Sequence, residues 1–403
     1  MDSGNEKTGL RRTLTLPLLV FYGLGVTVGA GIFALIGEIL ALAGDRAPQA
    51  FLLAGLIAGA TGLSYALLVR LFPKAGGEAV FVNRGLGKLA GGLAGFGVVV
   101  TGIVSSAVIA LAFAGYARTI VPLPAPVLTI GIIAVLSLIA WWGVRESVFF
   151  AALITILEVG TLIIIIALGA PLLTDARHIA ETLTPSLSLA AMAPVFSGAI
   201  IAFFAFIGFE DIENMAEETV DPVRTAPKAI FITLGLTVII YVALSVIATL
   251  APDRAAITGS PAPLAVLFKS ITGWPGKPVA AVAAVAMVNG ILVQIVMAAR
   301  VLYGMAGEGI LPAWFAHVDP ARRTPGRATL LVATIIAALA LFFPLVGLAE
   351  ATSLVTLAVF AMVNLSLFRL GGMADYPQLR LWRWWGLFAA AICMGLAAFQ
   401  FAG

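Results

Sequence analysis

Charged side chains are scarce in this chain, and their scarcity excludes a water-soluble protein. Only 11% of the 403 residues are Asp, Glu, Lys or Arg, and 61% are hydrophobic, whereas about 25% of a soluble domain is charged. Hydrophobic runs of about 20 residues, long enough to cross a bilayer, recur along the whole length. Every polar stretch between them is shorter than the ~50 residues that a domain needs. We therefore expect a single transmembrane domain.

Cysteine and histidine are nearly absent, which excludes further classes of site. The single cysteine, Cys393, rules out an intramolecular disulfide. The histidines, His178 and His317, lie in different loops without metal-ligand spacing, so we expect no metal and no cofactor. Neither HExxH nor GxSxG occurs, and we predict that the chain is not an enzyme. Its basic residues are scattered over short loops, which argues against nucleic acid as a partner.

The positions of the basic residues predict an orientation in a cell inner membrane. The hydropathy pattern predicts about eleven spans. With the N-terminus in the cytoplasm, most of the 23 lysines and arginines fall on the cytoplasmic side, as positive residues prefer. An odd number of spans places the C-terminus outside. The cluster at 380–385, rich in arginine and tryptophan, is typical of an interfacial anchor.

Glycine is unusually dense in the first predicted span. Four glycines fall between Gly23 and Gly31. One interpretation is a packing face, since Gly25 and Gly29 form a GxxxG pair. The other is a local interruption of the helix at 28–31, which lipid permits only where the backbone lines a cavity. We favour the interruption.

Carboxylates inside the sixth predicted span indicate a second interruption. Gly208 is followed by Glu210, Asp211 and Glu213. An ionised carboxylate at the bilayer centre costs at least ~2.5–3.5 kcal/mol, so three of them in one continuous helix would oppose insertion. We predict a break near Ile207 and Gly208, with the acids in the first turn of a new half-helix, where the helix dipole favours them. The alternative is that the span ends there.

The two interruptions divide the chain into two groups of five spans. They open the segments at about 14–170 and 190–369, and an extra helix follows at about 384–402. Glycine-interrupted segments in corresponding positions of two halves indicate a midplane site in an inverted-repeat transporter. Five spans per half require the second half to be inverted relative to the first. This pattern predicts an all-α membrane protein with discontinuous first and sixth helices.

Four motifs resemble the amino acid–polyamine–organocation (APC) superfamily, whose fold is of the LeuT type. Its members often have twelve spans, and the motifs cover spans one to ten in order. They are Gly29–Phe33, Phe72–Glu78, Phe206–Glu210 followed by Ala216–Glu218 with Pro222 and Pro227, and Arg300–Met305 with Gly309. The resemblance implies an amino acid transporter that works by alternating access.

The resemblance also implies where the substrate binds. Its carboxylate would contact the N–H groups after the first break, which agrees with the anion preference of a helix N-terminus. Its ammonium group would contact backbone carbonyls at both breaks, and Phe204 and Phe206 would close over it as gates, although ordinary packing explains each phenylalanine equally well. The predicted substrate-binding residues are Thr27, Val28, Gly29, Ala30, Gly31, Phe204, Ala205, Phe206, Ile207 and Gly208.

The energy source for transport is predicted from the polar residues of the eighth and fifth spans. LeuT-type sodium symporters use hydroxyl groups on the eighth helix, but no Ser or Thr occurs between Thr272 and Thr324, and Na⁺ prefers oxygen ligands as other hard cations do. We predict sodium independence. The fifth span carries Glu158. Some proton-coupled members of the family that this chain resembles have a lysine at what looks like the same position. Glu158 either carries a proton or forms a structural hydrogen bond with the first span.

The remaining predictions concern polar residues of the predicted spans, the class of substrate and the alternative functions. Asn289 and Gln294 more plausibly join helices than face the substrate. Arg300 is predicted to pair with Glu217 or Glu218 as an inner gate. We expect neutral amino acids as substrates, with polyamines or other organic cations as the alternative. An ion channel, the alternative from another class, would require a ring of equivalent groups.

Overall fold

The computed structural model describes residues 12–73, 76–143, 148–174, 176–186, 188–307, 311–319 and 322–402. Within these ranges every regular element is helical, as the composition predicts, and one isolated parallel bridge joins Leu14 to Thr219. A helix satisfies its own backbone hydrogen bonds, which hydrocarbon cannot do. Three motif residues, Lys74, Ala75 and Gly309, lie outside the described residues.

The helices of the described ranges follow one another along the chain. They are α1 Leu16–Thr27, α2 Ala30–Ala43, α3 Ala47–Leu71, α4 Gly77–Leu86, α5 Lys88–Ala117, α6 Ala125–Trp142, α7 Val148–Gly169, α8 Ala176–Leu183, α9 Leu189–Phe204, α10 Asp211–Asn214, α11 Pro222–Leu250, α12 Arg254–Thr258, α13 Pro263–Thr272, α14 Lys277–Gly307, α15 Gly326–Phe342, α16 Leu345–Leu370 and α17 Arg383–Ala402. Short 3₁₀ turns occur at Gly44–Arg46, Ala170–Leu172, Ala216–Glu218, Ala313–Ala316 and Pro377–Trp382.

Most of these helices have the length and apolar character of membrane spans. Eight helical segments of the described chain are long and apolar enough to cross a membrane, and α1, α9, α13 and α15 are shorter apolar helices. The chain is thus a multi-pass membrane protein. The total of about eleven spans stays a prediction, because it counts the interrupted helices and α15 as spans. The inverted relation of the two halves also stays a prediction.

Prolines and glycines position several helices. Proline occupies the first turn of α1, α3, α6, α11 and α13, where its missing N–H and fixed φ cost nothing. Small residues let helices approach closely: a Cβ on Gly62 of α3 would lie 2.6 Å from Leu234 Cδ1 of α11.

The two interrupted helices lie in the middle of the bundle. Helix α1 packs on α11 and α7, α2 packs on α9, and α3 packs along both α9 and α11. Most of α2 is buried, in contrast to the peripheral helix α6. Helices α5, α14 and α16 pack together on the other side of the breaks. The broken backbone is therefore enclosed by protein rather than lipid, as the energetics of unpaired peptide groups require.

Candidate functional site

The first interruption lies at Val28 and Gly29. Helix α1 ends at Thr27, where the Val28 N–H still donates to Leu24 O, and Gly29 then leaves the helical region with φ −53° and ψ −134°. The prediction of a break is confirmed, but the break is shorter than the predicted 28–31. Ala30 and the residue after it already belong to α2, so their N–H groups lie at the start of a helix of 14 residues.

The second interruption begins earlier than predicted. Helix α9 ends at Phe204, three residues before the predicted break, and Gly208 has φ +122°. The Gly208 N–H donates to Glu210 Oε2 at 2.8 Å, which stabilises the turn. The predicted long half-helix is replaced by the four residues of α10 and a 3₁₀ turn. Glu210 therefore precedes the new helix, and Asp211 begins it.

The two interruptions contact each other through their backbones. A Cβ on Gly31 would lie 2.6 Å from Ala205 Cα, and a Cβ on Gly208 would lie 2.9 Å from Val26 O. Both glycines are thus required by close approach of the chain, as well as by the positive φ of Gly208. Of the glycines in the first span, Gly31 is explained by contact with the second break, whereas Gly25 makes room for Thr155 of α7.

A tyrosine hydroxyl of α11 joins the two breaks. Tyr241 is fully buried, and its hydroxyl lies 2.9 Å from Thr27 O and 2.9 Å from Ala205 O. The hydroxyl carries one hydrogen, so it donates that hydrogen to two carbonyls at once. Sequence analysis did not identify Tyr241, because one tyrosine in an apolar span gives no signal of its partners.

A small cavity of about 60 Å³ lies beside the first interruption. Six of the ten predicted substrate-binding residues line it. They are Thr27, Gly29, Ala30, Gly31, Phe204 and Ile207. The other four do not line it. They are Val28, Ala205, Phe206 and Gly208. Ala205 and Gly208 face the first break instead of the cavity, because they make the backbone contacts that join the two breaks.

The two phenylalanines predicted as gates have different surroundings. Phe204 lines the cavity. Phe206 is fully buried, with its ring centroid 5.2 Å from that of Tyr241 and its edge against Gly55 of α3. The structure thus places Phe206 in the core between α3 and α11, which differs from the predicted gate. The turn after Phe204 rotates the later side chain away from the cavity.

Helices α5 and α14 supply cavity residues that the sequence analysis missed or interpreted differently. Asn289 and Gln294 were expected to join helices, but both line the cavity. Gln294 Oε1 is buried without a hydrogen-bond partner among the described residues. The sequence signal for a role in the cavity was the presence of two amide side chains in an otherwise apolar span. The remaining lining residues from these helices are Ser105, Ile109, Ala286, Gly290 and Val293.

A second, smaller cavity with carboxylates lies next to the first. Ile207 and Gln294 line both cavities, so they separate them. Glu78, Glu210 and Asp211 line the second one. The Tyr65 hydroxyl donates to Glu78 Oε1 at 3.3 Å. Burial raises the pKa of Glu78, which belongs to the short helix α4 that precedes the third span.

Glu158 lies apart from the central cavity. It is 1% exposed on α7 and Oε2 has no hydrogen-bond partner in the part of the chain that the structure describes. Oε2 therefore makes no hydrogen bond to the described residues of the first span, and the choice between the two roles of Glu158 stays a prediction. Glu158 lines a separate apolar cavity between α7 and α14. The other residues of that cavity are Ile154, Leu157, Ala281, Val282 and Val285.

The predicted inner gate is not assembled in this structure. Among the described residues Arg300 forms no ion pair. It lines a cavity whose lining includes neither Glu217 nor Glu218. The 3₁₀ turn at Ala216–Glu218 instead contacts the segment before α1: Thr13 N–H donates to Glu218 O at 2.9 Å. The ion pair stays a prediction for another conformation.

These features define a class of protein. A multi-pass bundle with two interrupted helices that meet at a small, enclosed, polar-lined cavity is the arrangement of a secondary transporter. The comparisons with known proteins identify the family within that class. The profile of a family described as amino acid permease matches residues 14–402. The chain belongs to this family, and hence to the APC superfamily that its motifs resemble.

Individual relatives agree with the family and are named as transporters or permeases rather than enzymes. An uncharacterized transporter of Mycobacterium tuberculosis is 33% identical over 92% of this chain and 83% of its own length. The branched-chain amino acid permease BcaP of Bacillus subtilis is 27% identical over 90% of this chain and 82% of its own. The mitochondrial cationic amino acid transporter 3 of Arabidopsis thaliana is 28% identical over 91% of this chain and 64% of its own.

Proposed function

We propose that this protein carries neutral α-amino acids across the cytoplasmic membrane by alternating access, without sodium. One observation carries the proposal: the central cavity is lined at the start of α2 by Gly29, Ala30 and Gly31. N–H groups at a helix N-terminus are free to bind an anion, and the helix dipole favours a negative charge there. A substrate carboxylate fits this position.

The ammonium group of the substrate fits the carbonyl groups on the other side of the same cavity. Thr27 and Phe204 end the helices α1 and α9, Ile207 follows in the second break, and all three line the cavity. Phe204 O accepts from Ile207 N–H at 3.2 Å and keeps a second lone pair. Thr27 O already accepts from Tyr241, and its second lone pair remains for an ammonium hydrogen. The site thus recognises the amino and carboxyl groups that all α-amino acids share.

The walls of the cavity favour a neutral side chain. Within the described residues, its lining contains no Asp, Glu, Lys, Arg or His, and its polar side chains are Thr27, Ser105, Asn289 and Gln294. A cationic side chain would be buried there without a counterion, which costs several kcal/mol. One relative is named for branched-chain amino acids and another for cationic ones, and the charge of the lining favours the former class for this chain.

Uptake by purified protein in liposomes tests this function. We expect saturable uptake of neutral amino acids, with lysine, arginine and putrescine competing at least about tenfold more weakly because of the uncompensated charge. Replacing Na⁺ by choline at fixed pH should leave uptake unchanged, because α14 has no Ser or Thr hydroxyl to bind Na⁺. Uptake that rises with Na⁺, a preference for cations, or conductance without saturation would contradict the proposal.

Proton coupling through Glu158 is part of the same proposal. Its carboxyl group is buried without a cationic partner among the described residues, and such a group inside a membrane protein is a functional candidate by default. Glu158→Gln removes the titratable group while keeping the size of the side chain. We expect it to abolish uptake driven by a pH gradient while substrate exchange between the two sides of the membrane persists.

The control for Glu158 is a half-buried glutamate in another membrane helix. Glu350 lies near the start of α16 and lines none of the cavities described above. Glu350→Gln should retain gradient-driven uptake. Normal gradient-driven uptake by Glu158→Gln would rule out the proton role, and equal loss in both variants would assign the effect to general damage.

The predicted orientation belongs to the proposal as well. With the N-terminus in the cytoplasm, the second cavity and its carboxylates lie between the substrate cavity and the cytoplasm. Ile207 and Gln294 then form the barrier that a substrate has to pass on its way inwards.

A further inference from the structure

A further cavity lies at the end of α6, away from the two breaks. It has a volume of about 260 Å³ and shares no lining residue with the central cavity. Three arginines line it: Arg300 from α14, and Arg322 and Arg323 from the segment before α15. Arg300 belongs to a family motif and is the predicted inner gate, whereas Arg322 and Arg323 have no part in the proposed transport mechanism.

Aromatic rings hold one of the three guanidinium groups in place. The Arg322 guanidinium lies 4.0 Å from the ring centroid of Trp141 and 5.4 Å from that of Trp142. It also lies 3.5 Å from Asp319 Oδ2. Stacking on two indole rings orients the planar group, because the ring faces attract a cation. The fork of N–H donors is therefore presented in a fixed direction.

The other two arginines bring charge that no ion pair balances within the part of the chain that the structure describes. Among the described residues, Arg300 and Arg323 form no ion pair. Arg323 has φ +56°, a conformation that only a few per cent of non-glycine residues adopt. Like charges in one cavity repel each other. An anion in the cavity would remove that repulsion and accept several charge-assisted hydrogen bonds.

The surroundings of the cavity indicate where the anion comes from. Trp142, which lines the cavity, is 66% exposed. Leu138 and Ile139 one turn earlier on α6 are also exposed. Apolar side chains exposed on a membrane helix face lipid, and tryptophan marks the interface with water. The cavity is thus placed at headgroup depth, next to a surface that acyl chains cover.

We propose that this cavity binds the phosphate group of an anionic phospholipid, with the acyl chains along α6. A guanidinium fork matches the oxygens of a phosphodiester, and basic pockets between membrane helices suit anionic headgroups. A free phosphate ion offers the same oxygens, but it gains nothing from the exposed apolar face of α6.

Lipid binding to the full-length protein in detergent tests the proposal. Native mass spectrometry titrates phosphatidylglycerol, phosphatidylcholine and inorganic phosphate separately. We expect phosphatidylglycerol to bind tighter than phosphatidylcholine. Arg323→Asn, which suits the left-handed backbone, and Arg300→Gln should each weaken phosphatidylglycerol binding about tenfold, the worth of one charge-assisted hydrogen bond.

Arg224→Gln is the matched control, because Arg224 is an exposed arginine at the start of α11 that pairs with Asp221 and lines none of the cavities described above. It should bind phosphatidylglycerol as the unsubstituted protein does. Unchanged binding in both cavity variants, or equal binding of phosphatidylcholine, would overturn the proposal. Inorganic phosphate that binds as tightly as the lipid would overturn the lipid as the source of the anion. Elution of each variant as a single species shows that it is folded.

Discussion

Gly208→Ala is expected to reduce uptake to less than about a tenth of the unsubstituted level, through strain and crowding at the second break. Gly208 has φ +122°, which a side chain makes unfavourable by about 1–3 kcal/mol. The added Cβ would also lie 2.8 Å from Val26 Cγ1 and 2.9 Å from Val26 O. Overpacking of this kind costs about another 1–3 kcal/mol. The breaks must move apart, which disrupts the cavity that they share.

Initial uptake rates, normalised to the amount of protein that elutes as a single species, measure this effect. Gly59→Ala is the control: Gly59 lies in the interior of α3, and a Cβ there would meet nothing within 4 Å. It should transport normally, since alanine is the better helix residue. If Gly208→Ala transported as well as Gly59→Ala, the backbone contact between the breaks would not matter for function.

Tyr241→Phe is expected to raise the KM for the substrate about tenfold and to lower the free energy of unfolding by about 1–3 kcal/mol. The phenylalanine keeps the edge-to-face contacts with Phe51 and Phe206 and removes only the hydroxyl. Two buried carbonyls, Thr27 O and Ala205 O, then lose their shared donor. Because both carbonyls belong to the breaks, the geometry that the substrate meets changes with them.

Tyr116→Phe separates the effect on the site from the loss of a buried hydrogen bond in general. The Tyr116 hydroxyl is also fully buried; it donates to Phe33 O at 2.7 Å and accepts from Leu264 N–H at 3.2 Å. Thermal unfolding should show a comparable loss of stability in both variants, whereas uptake kinetics should show a raised KM only in Tyr241→Phe. Similar KM values in the two variants would show that Tyr241 acts on stability alone.

The existence of both breaks followed from the sequence, but their positions did not. Clustered glycines and adjacent carboxylates are local signals, and each interruption lies within three residues of its predicted place. The exact end of α9 depends on the hydrogen bond between Gly208 N–H and Glu210. Such a side chain-to-backbone bond competes with the helix ladder and cannot be read from hydropathy.

The membership of the cavity was predictable only in part. Residues on the interrupted segments were found because irregular backbone inside a membrane requires a reason. The burial of Phe206 away from the cavity could not be predicted, because a phenylalanine in an apolar run has the same hydropathy whether it faces a cavity or the core. Asn289 and Gln294 were recognised as unusual, but the residues that they face depend on how α14 is rotated against α5.

By itself the sequence determined the membrane environment, the helical class, the family and the existence of two helix interruptions. Each of these depends on local composition: the cost of charge in lipid and the conformational freedom of glycine act on every chain in the same way. Tertiary structure decided which carbonyls Tyr241 joins, which side chains line the central cavity, and that Arg300, Arg322 and Arg323 share a cavity of their own. Those facts depend on the rotation and packing of helices that are far apart in the chain, because contact between them is set by surface fit rather than by neighbouring residues.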